Sequence, residues 1–184
     1  MPTEGRLRRA EVELRSNSRA ARLYKKRIRF GGLGINAYIC RMSKLLIYTD
    51  GSSRGNPGPG GWGVVMKFND KTKELSGGEK FTTNNRMELM AVIEALEAVK
   101  STRHPVEVYS DSKYVIDSIE KGWVFNWIKK PNFGGKKNED LWRRFLKSYS
   151  NFDISFHWVK GHNGHPENER CDVLATTEAI KFIK

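Results

Sequence analysis

Four carboxylates in this 184-residue chain stand where a folded core would ordinarily place carbon. If a helix begins at Asn84, a turn of about 100° per residue sets Glu88 on one face with Val92, Ala95 and Val99, while Glu97 falls on the polar side. The same step aligns Asp172 with Ala175, Ala179 and Ile183. Asp50 and Asp111 end two apolar runs that read as strands, and side chains at the strand mouths of an α/β sheet tend to face ligands. A carboxylate buried alone is costly, so it takes up a proton, pairs with a base or coordinates a cation. Pairing with Arg or Lys explains any one of the acids. It explains four less well, because few Arg or Lys share those faces. An all-oxygen set favours a hard ion, Mg²⁺ with Mn²⁺ as its substitute, over zinc. Two such ions ~4 Å apart would clamp the attacking and leaving oxygens of a phosphodiester.

One histidine has matching chemistry. His162 lies between Gly161 and Gly164, and its unperturbed pKa falls near working pH, which suits it to moving a proton. The alternative is zinc held by His162, His165 and Cys171, for which no fourth ligand is evident. His165 reads otherwise as a helix cap or an exposed side chain.

The elements that must carry these residues follow from periodicity and turn signals. Residues 45–48 form a short buried strand running into Thr49 and Asp50, and a Gly/Pro-rich turn occupies 51–61. Strands at 62–68 and 75–81, joined by the polar turn 69–73, complete an antiparallel meander. A helix capped by Thr83 or Asn84 runs to about Lys100, and a fourth strand spans 105–110. Asp111 or Ser112 caps a helix to about Glu120. A Trp- and Lys-rich stretch, 121–137, leads to a helix at 139–149, a fifth strand at 152–159 and a last helix opened by Pro166. The order predicts an α/β (α+β) domain with a five-stranded mixed sheet flanked by helices.

Composition bounds the rest. With 38% hydrophobic and 11% aromatic residues the chain can build one core, which excludes disorder for most of its length. The net charge of +12 points to a polyanionic partner, nucleic acid first. Residues 1–41 hold eleven Lys/Arg and three Asp/Glu, net +8, which leaves +4 for 42–184. With no sustained apolar period, and with Gly31, Gly32 and Gly34 as breakers, 1–41 reads as a basic, disordered extension of a domain at 42–184. Glu11 and Glu13 break an organelle-presequence pattern, and Met42, followed directly by a strand, is an alternative start. Cys40 and Cys171 are too few for a disulfide framework, so a reducing, cytoplasmic compartment is expected. No run approaches ~18 uncharged apolar residues, so no membrane span is expected. Nothing suggests an oligomer, and a monomer is assumed.

Four runs carry a family resemblance: Y-T-D-G-S-S-R-G-N-P-G-P-G-G (48–61), T-T-N-N-R-M-E-L-M-A (82–91), Y-S-D-S-K-Y-V (109–115) and W-V-K-G-H-N-G-H-P-E-N-E-R-C-D-V-L-A (158–175). Each delivers one of the four acids, and together they resemble the ribonuclease HI family over about 43–184. The resemblance implies a ribonuclease H fold and endonucleolytic hydrolysis of the RNA strand of RNA/DNA hybrids, leaving 5′-phosphomonoesters. It implies that Asp50, Glu88, Asp111 and Asp172 hold two Mg²⁺ ions and that His162 assists proton transfer or product release.

The resemblance also implies the substrate contacts. Asn56, Asn84 and Asn85 would touch sugars and bases in the hybrid's minor groove, where the 2′-hydroxyl separates RNA from DNA. Thr83, with the free N–H groups of its helix, would bind a DNA-strand phosphate near Arg86. The stretch 121–137 interleaves Trp123, Phe125, Trp127 and Phe133 with Lys129, Lys130, Lys136 and Lys137, and resembles a shortened version of the family's basic handle. Trp127 has a core reading beside this one, as do Trp142 and Trp158. Lys113 stands where the family pattern has glutamine, which exchanges a base-reading hydrogen bond for a phosphate contact.

Overall fold

The computed structural model describes residues 43–101, 104–161 and 163–183, so the expectations for 1–41 and for His162 lie outside the described residues. Strand β1 (Leu45–Ser53) pairs antiparallel with β2 (Gly58–Phe68), and β2 with β3 (Lys71–Thr82). Helix α1 (Asn84–Glu97) leads to β4 (Val106–Ser110), parallel to β1. Helices α2 (Lys113–Glu120) and α3 (Trp123–Trp127), a 3₁₀ turn at Pro131–Gly135 and α4 (Glu139–Tyr149) precede β5 (Ile154–Trp158), parallel to β4. Helix α5 (Pro166–Ile180) closes the order. The sheet runs β3-β2-β1-β4-β5, the mixed five-stranded arrangement expected.

Strand alternation sorts the two faces. Ile47, Val64, Val106 and Val108 point into a core shared with Met87, Val92 and Ile93 of α1, Val115 of α2 and Trp142 and Phe145 of α4. The opposite face is partly covered by α5, whose buried Cys171, Ala175 and Ala179 lie four residues apart. Of the stripe assigned to Glu88, Val92 and Ala95 are buried in α1, but Val99 lies beyond its end and burial extends to neighbouring positions such as Ala91 and Ile93. Ile183, assigned to the stripe of Asp172, lies beyond the end of α5 and is exposed.

The strands are longer than their apolar runs. β1 continues to Ser53 and β2 begins at Gly58, so the turn read at 51–61 shrinks to the residues between them. β3 begins at Lys71 because an edge strand needs only backbone pairing and tolerates Lys71, Thr72 and Lys73 in solvent. Helix α1 stops at Ala98, short of Lys100. Ser112, rather than Asp111, caps α2 by accepting a hydrogen bond from the Val115 N–H at 3.3 Å. Trp142 is fully buried, but Trp158 is 46% exposed, contrary to the core reading. Phe133, grouped with a phosphate-gripping stretch, is instead fully buried against Trp127.

Candidate active site

Two close backbone approaches bring the acids to one end of β1. Asp50 faces Gly63 across the β1–β2 ladder, so both project toward α5. A Cβ on Gly63 would lie 2.3 Å from the Cys171 carbonyl oxygen, and its absence lets α5 lie against the sheet with Asp172 beside Asp50. On the other face, a Cβ on Gly51 would lie 2.1 Å from the Glu88 backbone nitrogen. The first turns of α1 therefore rest on the end of β1, and Glu88 reaches the same mouth.

The acids are held by neutral donors. Glu88 Oε1 accepts from Asn84 Nδ2 at 2.8 Å, and Glu88 Oε2 accepts from the Ser112 hydroxyl. Asp111 Oδ2 accepts from Asn168 Nδ2 at 3.2 Å, and the Asp111 carbonyl accepts from Trp158 Nε1 at 3.0 Å. Asp50 Oδ1 accepts from the Gly51 N–H at 2.7 Å. The backbone after β5 crosses directly over this cluster, because a Cβ on Gly161 would sit 2.4 Å from Asp111 Oδ2. His162 is the next residue of that segment.

No Arg or Lys neutralises the cluster: none of the four acids joins an ion pair among the described residues. The electrostatic consequence is large. Burial, then the charge of Asp111, then Asp172 and Glu88 push the Asp50 carboxyl up to about 8, against the pull of the Gly51 N–H. Burial lifts Glu88 to about 7, with Asp111 adding to the rise and the Ser112 and Asn84 bonds opposing it. Asp111, Asp172 and Glu88 are thus close enough to Asp50 for their charges to act on it. Among the described residues no three His, Cys, Asp or Glu side chains already form the cage of one ion. Like charges repel, so a cluster of this kind is eased either by taking up protons or by positive charge.

A groove of about 340 Å³ is lined by Asn56, Thr83, Asn85, Arg86, Tyr114, Trp127, Lys136, Lys137 and Asn138, and Thr83 and Asn85 flank the Asn84 that holds Glu88. Thr83 occupies the N-cap position of α1 with extended backbone, yet its side chain makes no cap bond. Asn84 turns instead to Glu88. Arg86 is held by Asp140 through two hydrogen bonds, 3.0 and 2.8 Å. A second depression is lined by Lys113, Tyr114, Trp123, Trp127 and Lys136. Lys129 and Lys130 are exposed and line neither. His165 is exposed at the N-cap position of α5, and the Cys171 thiol donates to the Tyr48 carbonyl at 3.2 Å. Sequence reasoning passed over Ser112, Asn168 and Trp158, which touch the acids or their backbone, and it did not weigh Asn138 on the groove wall. Ser112 had a signal as the residue that caps α2. Asn168 had only its place in the fourth motif.

A mixed sheet that gathers acids with no basic partner among the described residues, together with a basic, aromatic groove, defines an enzyme of nucleic-acid phosphodiester chemistry. The chain belongs to the RNase H family, ribonucleases that cut the RNA strand of RNA/DNA hybrids, and the family's model matches residues 42–180. It is 52% identical to the ribonuclease H of Helicobacter acinonychis over 143 residues, 78% of this chain and 98% of that one. The fold superposes on LC9-RNase H1, a type 1 RNase H with the type 2 active-site motif, with a TM-score of 0.68 and 33% identity, over 76% of this chain and 74% of that one. LC11-RNase H1, solved in complex with an RNA/DNA hybrid, gives a TM-score of 0.60 and 28% identity over 76% and 99% of the two chains.

Proposed function

We propose that the chain cuts its hybrid substrate internally at the acid cluster, with Asp50, Glu88, Asp111 and Asp172 holding two Mg²⁺ ions for which Mn²⁺ can substitute. The observation that carries this reading is four carboxylates meeting at the end of β1 with no Arg or Lys partner among the described residues. The donor set fits hard divalent cations: it is all oxygen, and positive charge would offset the burial and like charge that lift Asp50 and Glu88. Bound there, the ions supply a nucleophile from water at neutral pH and stabilise charge on the departing 3′ oxygen.

The protein's own part is orientation and proton handling. Ser112 and Asn84 fix both oxygens of Glu88, and Asn168 fixes one oxygen of Asp111. His162, which follows Gly161 in the sequence, takes or gives a proton in the reaction. Because the 3′ oxygen leaves, the products carry 5′-phosphates. The Thr83 hydroxyl and the free N–H groups at the start of α1 receive a DNA-strand phosphate. Asn56, Asn84 and Asn85 face the minor groove, and Lys113, Trp123, Trp127, Lys129 and Lys130 follow the backbone.

The working form is a monomer, and the setting is the cytoplasm. No helix among the described residues is long and apolar enough to cross a membrane. Residues 1–41 add non-specific affinity to the domain at 42–184. Labelled RNA/DNA, DNA/DNA and RNA/RNA duplexes, each with Mg²⁺ and with EDTA, test the assignment. Only the hybrid is cut, and EDTA stops the cutting. Asp50→Asn abolishes hydrolysis while hybrid binding stays measurable, and full activity in that variant overturns the metal role.

A further inference from the structure

Lys113 and Trp158 form a pair that the acid cluster does not require. Trp158 ends β5 with its ring 46% exposed. Its indole N–H is engaged by the Asp111 carbonyl at 3.0 Å, which pins the ring beside an acid of the cluster. Over the face of that ring sits Lys113 Nζ, 4.9 Å from the centroid. Lys113 opens α2 two residues after Asp111 and has no carboxylate partner among the described residues. It also lines the depression formed by Tyr114, Trp123, Trp127 and Lys136. The pair thus touches Asp111 through Trp158 and lines that depression through Lys113.

The type of contact matters. An ion pair would fix the ammonium by neutralising it, whereas an aromatic face fixes it and leaves its full charge available to an anion. A lysine presents a compact point charge and lacks the paired donors and acceptors that read a base edge. We propose that Lys113, positioned by Trp158, grips a backbone phosphate of the RNA strand adjacent to the phosphodiester attacked at the acids. This rests on the hybrid-cutting reading above, since the strand that reaches Asp111 is the one cut. The grip tolerates any base sequence and weakens with salt.

Steady-state cleavage of a labelled hybrid in Mg²⁺, between about 50 and 200 mM KCl, tests it in the full chain. Lys113→Gln raises KM rather than lowering kcat, and its slope of log KM against log salt flattens by about 0.7–0.9, the signature of one lost phosphate contact. The wild-type advantage in KM therefore shrinks about threefold across that range. Trp158→Leu, which frees the ammonium, flattens the slope in the same direction, and the double variant is no flatter than Lys113→Gln alone. If Trp158→Leu fails to fold by circular dichroism, Trp158→Phe decides in its place: it keeps an aromatic face, loses the bond to Asp111, and retains more of the slope than Lys113→Gln does. An unchanged slope in Lys113→Gln, or independent additive effects of the two substitutions, overturns the pair. A wild-type chain inert on the hybrid in Mg²⁺ overturns the reading beneath it as well. A wild type that cuts, with a Lys113→Gln slope equal to its own, overturns this inference alone.

Discussion

Uncompensated acids make the metal-free protein sensitive to pH. Burial, with Asp111, Asp172 and Glu88 nearby, lifts the Asp50 carboxyl from the ordinary carboxylate range to about 8 in the fold. A raised folded value stabilises fully below the unfolded pKa, and that stability is lost as pH rises through the folded one. At about 1.4 kcal/mol per pKa unit, discounted for coupling among the acids, the metal-free fold weakens by about 2–4 kcal/mol between pH 4 and 8. Asp50→Asn therefore raises Tm in EDTA at pH 8 and leaves it nearly unchanged at pH 4. Melting curves at the two pH values check this, and equal gains at both would contradict it. Mg²⁺ binding needs ionised carboxylates, so the ion raises the wild-type Tm more at pH 8 than at pH 6, and Asp50→Asn shrinks that difference. The four acids were legible in the sequence because a carboxylate on an apolar stripe or at a strand mouth demands a partner. Their neutral holders were not. Ser112 meets Glu88 across 24 residues of chain and Asn168 meets Asp111 across 57, and small polar side chains carry no sign of such distant neighbours.

Between elements, the site depends on how near α1 and α5 come to the sheet. Gly51 and Gly63 set those two distances on opposite faces. Gly51→Ala drives a methyl group into the backbone of Met87 and Glu88, which flexible side-chain ends cannot relieve. Overpacking of this kind costs about 1–3 kcal/mol. A lower urea midpoint at unchanged m-value measures it, and activity falls further than stability accounts for because Glu88 is displaced from Asp50. Gly122→Ala is the comparison: φ is +71° and nothing lies within 4 Å of a new Cβ, so only left-handed backbone strain of about 1 kcal/mol is added, with activity preserved. Element order and sheet type were readable from apolar periodicity and turn residues. Element ends were less so, because the ends of β1 and β3 are carried by glycines and lysines that pair through backbone alone. The handle was the hardest segment. Its lysines are interchangeable by composition, and only the left-handed residues Asn132, Phe133 and Gly134 turn the chain so that Lys136 and Lys137, rather than Lys129 and Lys130, line the groove.

Across the whole molecule, charge divides into two parts with different consequences. Residues 42–184 carry +4, with acids gathered at the cluster and Arg86, Lys113, Lys136 and Lys137 along the depressions beside it. That arrangement suits the proposed reading, with positive charge along the substrate backbone and negative charge where cations would bind. Residues 1–41 carry +8 and lie outside the described residues. Their charge predicts that deleting 1–41 acts on binding through counterion release and leaves kcat unchanged. Each cation of that segment that meets a phosphate adds about 0.7–0.9 to the salt slope. With even three such contacts, the affinity ratio of the full chain to 42–184 falls about 20- to 40-fold between 50 and 200 mM salt. The loss is equal for RNA/DNA and DNA/DNA, since phosphates carry no strand identity. Fluorescence anisotropy of both duplexes with both chains measures the slopes in EDTA. Equal slopes with and without the segment would assign all of the salt dependence to the groove, and a loss confined to the hybrid would give residues 1–41 a part in recognition.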